Sequence, residues 1–120
     1  MPAIRVHLAS WVVALLAMTS AQAANLAFMK DAPIARFTDQ DMQLFTQTLN
    51  GVLDSGADGE ARKWSNPDTK AGGEVKAIKS FARDAMPCRR VAIKNKAKGR
   101  SNSGQYNFCK KPTGEWAPAT

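Results

Sequence analysis

The chain has 120 residues, with 17 lysines and arginines against 10 aspartates and glutamates, a net charge of +7, one histidine and two cysteines. That length allows one small domain. The single histidine, His7, falls in a leader read below as removed, which excludes serine–histidine and cysteine–histidine catalysis and any imidazole metal site. No cofactor and no metal site is expected.

Residues 1–23 read as a secretory signal peptide. Arg5 and His7 supply the positive start, Leu8 to Met18 the apolar run, and Ala21-Gln22-Ala23 the small-x-small cleavage signal. The apolar run is shorter than the ~20 residues a spanning helix needs. No cysteine stands at the cleavage site to carry a lipid. Export implies an oxidising compartment, so Cys88 and Cys109 are expected to form a disulfide.

Residues 24–36 show no periodicity and read as an irregular lead-in to a domain over 37–120. Thr38 is placed to cap a helix, with Asp41 three residues on as a variant capping box and Phe37 and Met42 at staple positions. Met42, Phe45, Leu49, Val52 and Leu53 recur at helical spacing. Ser55-Gly56 ends the helix, with Gly56 expected as a left-handed cap. The pattern then changes to period two. A strand is expected over Ala61–Ser65, a turn over Lys70–Gly73, and a second strand over Glu74–Ala82. Ile78 and Phe81 break its alternation and predict a bulge or an early end. Arg89–Ala97 and Gly104–Cys109 read as a hairpin, followed by a turn at Pro112–Gly114 and a short strand at Glu115-Trp116-Ala117.

The hairpin register follows from arithmetic. If Cys88 faces Cys109, Val91 faces Tyr106, Arg89 faces Phe108 and Ala97 faces Arg100. Lys98-Gly99 is then left as a two-residue turn, a favoured hairpin length. Val91 and Ile93 share one face with Tyr106 and Phe108, and both cysteines lie on the other. The expected fold is α+β: an N-terminal helix packed on a small antiparallel sheet of about four strands, with one disulfide. Phe45, Leu49, Val52, Trp64, Val75, Val91, Tyr106 and Phe108 are expected in the core. Trp64 and Trp116 are expected at the core or its edge, with indole N–H groups at the rim.

Charge is segregated. Residues 24–60 carry Lys30 and Arg36 against six acids, while residues 61–120 carry fourteen bases and four acids. Arg90, Lys94, Lys96, Lys98 and Arg100 are the candidate anion-contacting residues, the three lysines sharing a face with Arg90. Export makes nucleic acid an unexpected partner. It leaves anionic envelope components (lipopolysaccharide, lipid headgroups, cell wall) or an envelope protein. The run Asp54–Glu60 fails as a calcium loop, because position three is Gly56 and position twelve is Ser65. Asp58 and Glu60 are the nearest pair for carboxylate acid–base chemistry, but they lie among turn residues with nothing apolar to raise a pKa.

Trp64-Ser65-Asn66-Pro67-Asp68-Thr69 followed by Gly72-Gly73-Glu74-Val75, then Pro87-Cys88-Arg89-Arg90, Tyr106 to Cys109 and Lys110-Lys111-Pro112-Thr113-Gly114-Glu115-Trp116, together resemble the bacterial surface-antigen domain. This is the C-terminal domain of rickettsial-type outer-membrane surface antigens. The resemblance covers about residues 38–118. It implies a short exported member without established catalysis, and Cys88 and Cys109 match the family's cysteine pair. The glycine-rich membrane-associated segment of longer antigens has no counterpart here. The expected function is therefore a non-enzymatic, periplasmic or outer-membrane-associated envelope protein. A shorter likeness, Ser103-Gly104-Gln105-Tyr106, is similar to a stretch of small periplasmic lysozyme inhibitors and supplies the alternative.

Overall fold

A computed structural model describes residues 32–119. The leader over 1–23 and most of the lead-in lie outside the described residues. A 3-10 turn at Pro33–Arg36 precedes a helix, α1 (Asp39–Ser55). Five strands follow: β1 (Ala61–Asn66), β2 (Ala71–Arg83), β3 (Met86–Ala97), β4 (Arg100–Lys110) and β5 (Trp116–Ala119). They form one antiparallel sheet in sequence order, with five strands where about four were expected. No helix among the described residues is long and apolar enough to cross a membrane.

The start of α1 follows the sequence. Thr38 Oγ1 accepts from the Asp41 amide at 3.1 Å, and Asp41 Oδ2 accepts from the Thr38 amide at 3.0 Å, a reciprocal capping box. Asp39 and Asp41 also oppose the positive end of the helix dipole. Phe37, just outside the cap, sets its ring edge-on to Phe45 and Trp64 at 5.9 and 5.1 Å. The C-terminus differs from expectation. Gly56 is extended (φ −69°, ψ 135°), not left-handed. Glycine is needed there because a Cβ would press on the Val52 carbonyl at 2.9 Å. The Gly56 amide donates to that carbonyl at 2.9 Å, and a side chain from the sheet, Arg89, adds a second donor to it at 2.8 Å.

The β3–β4 register is the one derived from the cysteines, from Cys88 opposite Cys109 to Ala97 opposite Arg100. Lys98 and Gly99 have φ of 53° and 77°, a turn with both central residues left-handed, whose twist suits a two-residue hairpin. The bulge falls between Ala77 and Lys79, but β2 continues past it to Arg83 instead of ending. Its extra residue, Ile78, lets Ala77 face the core and Phe81 the opposite side.

The turn between β1 and β2 spans 67–70, three residues earlier than the expected Lys70–Gly73. Lys70 takes φ 64° and β2 begins at Ala71, so both glycines lie inside the strand. Gly73 is there because of close approach, not turning. A Cβ on it would collide with the Lys94 carbonyl, the Asn95 side chain and the Trp64 indole.

Phe45, Leu49, Val52, Leu53, Trp64, Val75, Val91, Ile93 and Phe108 fill the layer between α1 and the sheet, with Ile34 of the 3-10 turn added to it. Tyr106, expected inside, is half-buried at the margin. Its ring lies over Gly104, where a Cβ would meet the hydroxyl at 2.7 Å. Trp116 donates to Asp54 at the rim as expected (2.7 Å), whereas Trp64 donates inward to buried Asn95 at 3.2 Å.

Candidate functional site

The signature Trp64-x-Asn66-x-Asp68-Thr69 is a clasp between the start of the helix and the sheet. Asp41 is 1% exposed, and its Oδ1 accepts from Asn66 Nδ2 and from Thr69 Oγ1, each at 2.7 Å. Asn66, also buried, uses its Oδ1 to accept the Asp68 amide in an Asx turn. Burial alone raises the Asp41 pKa, but the hydrogen bonds from Thr69, Thr38 and Asn66 outweigh it and hold the carboxyl below its ordinary value. These polar groups satisfy one another inside the fold and present nothing to a ligand.

Asp58 and Glu60 are likewise engaged. A hydrogen bond from Arg89 lowers the Asp58 pKa, with Ser80 adding a second donor. The hydrogen bond from Arg62 lowers that of Glu60, helped by the Ala57 amide. A general acid at neutral pH needs the opposite shift. Among the described residues no group of three or more His, Cys, Asp or Glu is placed to hold a metal ion.

The candidate site is the other face of the sheet. Residues opposite one another across an antiparallel ladder point to the same side. Trp64, Val75, Val91, Ile93 and Phe108 point to α1. The remaining set, read in register across the strands, is Ser65–Gly72–Lys96–Ser101, Lys63–Glu74–Lys94–Ser103, and Ala61–Lys76–Ala92–Gln105. Beyond the bulge come Lys79–Arg90–Asn107 and Phe81–Cys88–Cys109–Ala117, then Arg83–Met86. No described helix packs on this face. It carries seven cations, four of them on β1 and β2 (Lys63, Lys76, Lys79, Arg83), against one acid, Glu74.

Of the five candidates from the sequence, the sheet brings Arg90, Lys94 and Lys96 together on this face. Lys98 lies in the hairpin turn, and Arg100, opposite Ala97, belongs by register to the helix side. The four cations of β1 and β2 escaped the sequence reading because cross-strand pairing, not spacing along the chain, brings them in. In the second expected strand Lys76 and Lys79 stand three residues apart, and only the bulge at Ile78 puts them on one face. Arg90 donates to Gln105 at 2.7 Å, and Lys79 and Arg83 flank the Phe81 ring at 5.8 and 6.0 Å. None of the ion pairs among the described residues involves Lys63, Lys76, Lys79, Lys94 or Lys96.

A groove of about 720 Å³ opens at the hairpin end of this face. A smaller hollow of about 340 Å³ lies between α1 and the β4–β5 turn, bounded by Leu49, Leu53, Phe108 and Trp116. Its outer wall is fixed by the Trp116–Asp54 hydrogen bond and by Lys110, whose ammonium stands 3.8 Å from Asp54.

Compared with known protein families, residues 51–117 match the model described as 17 kDa outer membrane surface antigen. This span falls within the 38–118 stretch that carries the sequence resemblance. No curated protein and no solved structure matches the chain.

Proposed function

The chain belongs to the 17 kDa outer membrane surface antigen family, and from that membership and the open basic face we propose a non-catalytic, envelope-associated protein that docks on anionic envelope components. One observation carries the reading: the side of the sheet on which no described helix packs gathers cations from β1, β2 and β3 with a single acid among them. Such a surface attracts anionic lipid headgroups or acidic polymers through many weak, screened contacts. The protein works from the periplasmic side, exported by its leader and held near the outer membrane.

The test is co-sedimentation of the disulfide-bonded protein with phosphatidylglycerol-containing vesicles. Binding should fall at least tenfold between low and high salt, and the triple variant Lys79→Glu, Arg83→Glu, Arg90→Glu should bind poorly at any salt. Binding that ignores salt, or a triple variant that binds like the parent, overturns the electrostatic reading. Fractionation that leaves the protein in the cytosol overturns the envelope assignment.

A further inference from the structure

The groove at the hairpin end has a composition that a merely basic surface does not need. Two registered rows supply its outward-facing residues, Ser65, Gly72, Lys96 and Ser101 in one and Lys63, Glu74, Lys94 and Ser103 in the other, and the row between them, Trp64, Gly73, Asn95 and Asn102, also lines it. Gly72 gives the groove its depth, since it contributes no side chain between Ser65 and Lys96. Three ammonium groups line the groove, and Glu74 stands in register between Lys63 and Lys94. No ion pair among the described residues joins Glu74 to either lysine.

We infer that this groove binds a phosphate monoester carried on a sugar. The reading rests on the proposed anionic docking and names the chemistry of one part of that face. Lysine ammoniums and serine hydroxyls donate to phosphate oxygens. A carboxylate repels a phosphate but accepts from sugar hydroxyls, so Glu74 belongs beside the ring and the lysines around the phosphate. Serine hydroxyls both donate and accept, and they suit either part. A bare anion site would omit the carboxylate, because a like charge nearby weakens anion binding. No described helix covers the sheet here, so the ligand lies along the surface and can be borne on a lipid or be free in solution.

The experiment is titration of the purified, disulfide-bonded protein by amide NMR with glucose 1-phosphate, inorganic phosphate and glucose. In parallel, it is mixed with vesicles carrying a phosphorylated glycolipid. The inference expects glucose 1-phosphate to shift amides of Ser65, Gly72, Glu74, Lys94, Lys96 and Ser103, at least fivefold more tightly than inorganic phosphate or glucose. Lys94→Gln with Lys96→Gln should weaken it about tenfold, the equivalent of ~1.4 kcal/mol. Glu74→Gln should narrow the preference for sugar phosphate over inorganic phosphate. These exposed or half-exposed substitutions leave the core untouched, so the thermal midpoint should stay within a few degrees. A response to vesicles alone assigns the lipid-borne source, and a response to both assigns the headgroup chemistry itself. Shifts spread evenly over Lys79, Arg83 and Arg90, or an unchanged preference in Glu74→Gln, overturn the groove while leaving general anionic docking intact. No response to any phosphate, with anionic vesicles also unbound, overturns both.

Discussion

Asp41 and Arg89 hold the two ends of α1 to the sheet, and each does so with a charge removed from water. Asp41 accepts three hydrogen bonds from groups of three different segments: Thr38, Asn66 and Thr69. Replacing it with alanine leaves Asn66 Nδ2 buried without that acceptor and removes the side-chain half of the capping box, the acceptor of the Thr38 amide. Asp41→Ala should therefore cost about 3 kcal/mol of unfolding free energy in urea titration, against less than about 1 kcal/mol for exposed Asp39→Ala. Arg89 is 8% exposed, and its guanidinium spans the Val52 carbonyl at 2.8 Å and Asp58 Oδ1 at 2.7 Å. A lysine has one nitrogen and cannot span both, so Arg89→Lys should lose about 2 kcal/mol by the same measurement. Gly73→Ala meets three neighbours at once and should prevent folding, visible as the loss of cooperative thermal unfolding.

At the scale of elements, the β3–β4 hairpin is fixed at both ends. The Lys98-Gly99 turn sets one end and the Cys88–Cys109 disulfide the other, 21 residues apart in sequence. A bridge over a loop of that length contributes about 3 kcal/mol. The double variant Cys88→Ser, Cys109→Ser should lower the unfolding free energy by about that much and bring it level with the reduced parent. If reduction leaves the denaturation midpoint unmoved, the bridge contributes nothing. Most of this hairpin was legible in the sequence because turn, cysteines and apolar parity all demand one register. The β1–β2 turn was not legible. Glycine pairs ordinarily mark turns, and nothing local says that Trp64 crosses Gly73 to reach Asn95. The helix start was legible because the capping box is local; at its end only the Gly56 amide is local, and the second donor to the Val52 carbonyl comes from Arg89, more than thirty residues away.

For the whole molecule, acid stability follows from the carboxylates. Asp41, Asp58 and Glu60 all have folded pKa values below their ordinary ones. A depressed folded pKa gives stability that is fully present above the unfolded value, about 4 for carboxylates, and is lost as pH falls through the folded value. Urea midpoints should therefore be flat from pH 7 to about 5 and decline below about 4. Asp41→Asn should shallow that decline. The same charges explain the shape of the proposed surface. Asp39, Asp41, Asp54, Asp58 and Glu60 sit at α1 and its following turn, on one side of the sheet, and the cations of β1, β2 and β3 gather largely on the other.

The sequence by itself determined the helix start, the period-two alternation of the strands, the hairpin register and the disulfide. Each depends either on neighbours along the chain or on a short turn whose length sets which residues face each other. Only the tertiary structure decided which lysines share a face, what closes the helix, and why two glycines stand inside a strand. Those are contacts between segments far apart in the chain, and no local propensity records them. The basic stripe read from one strand is thus a surface built by three, with a groove that exists because Gly72 leaves a gap between its cross-strand neighbours.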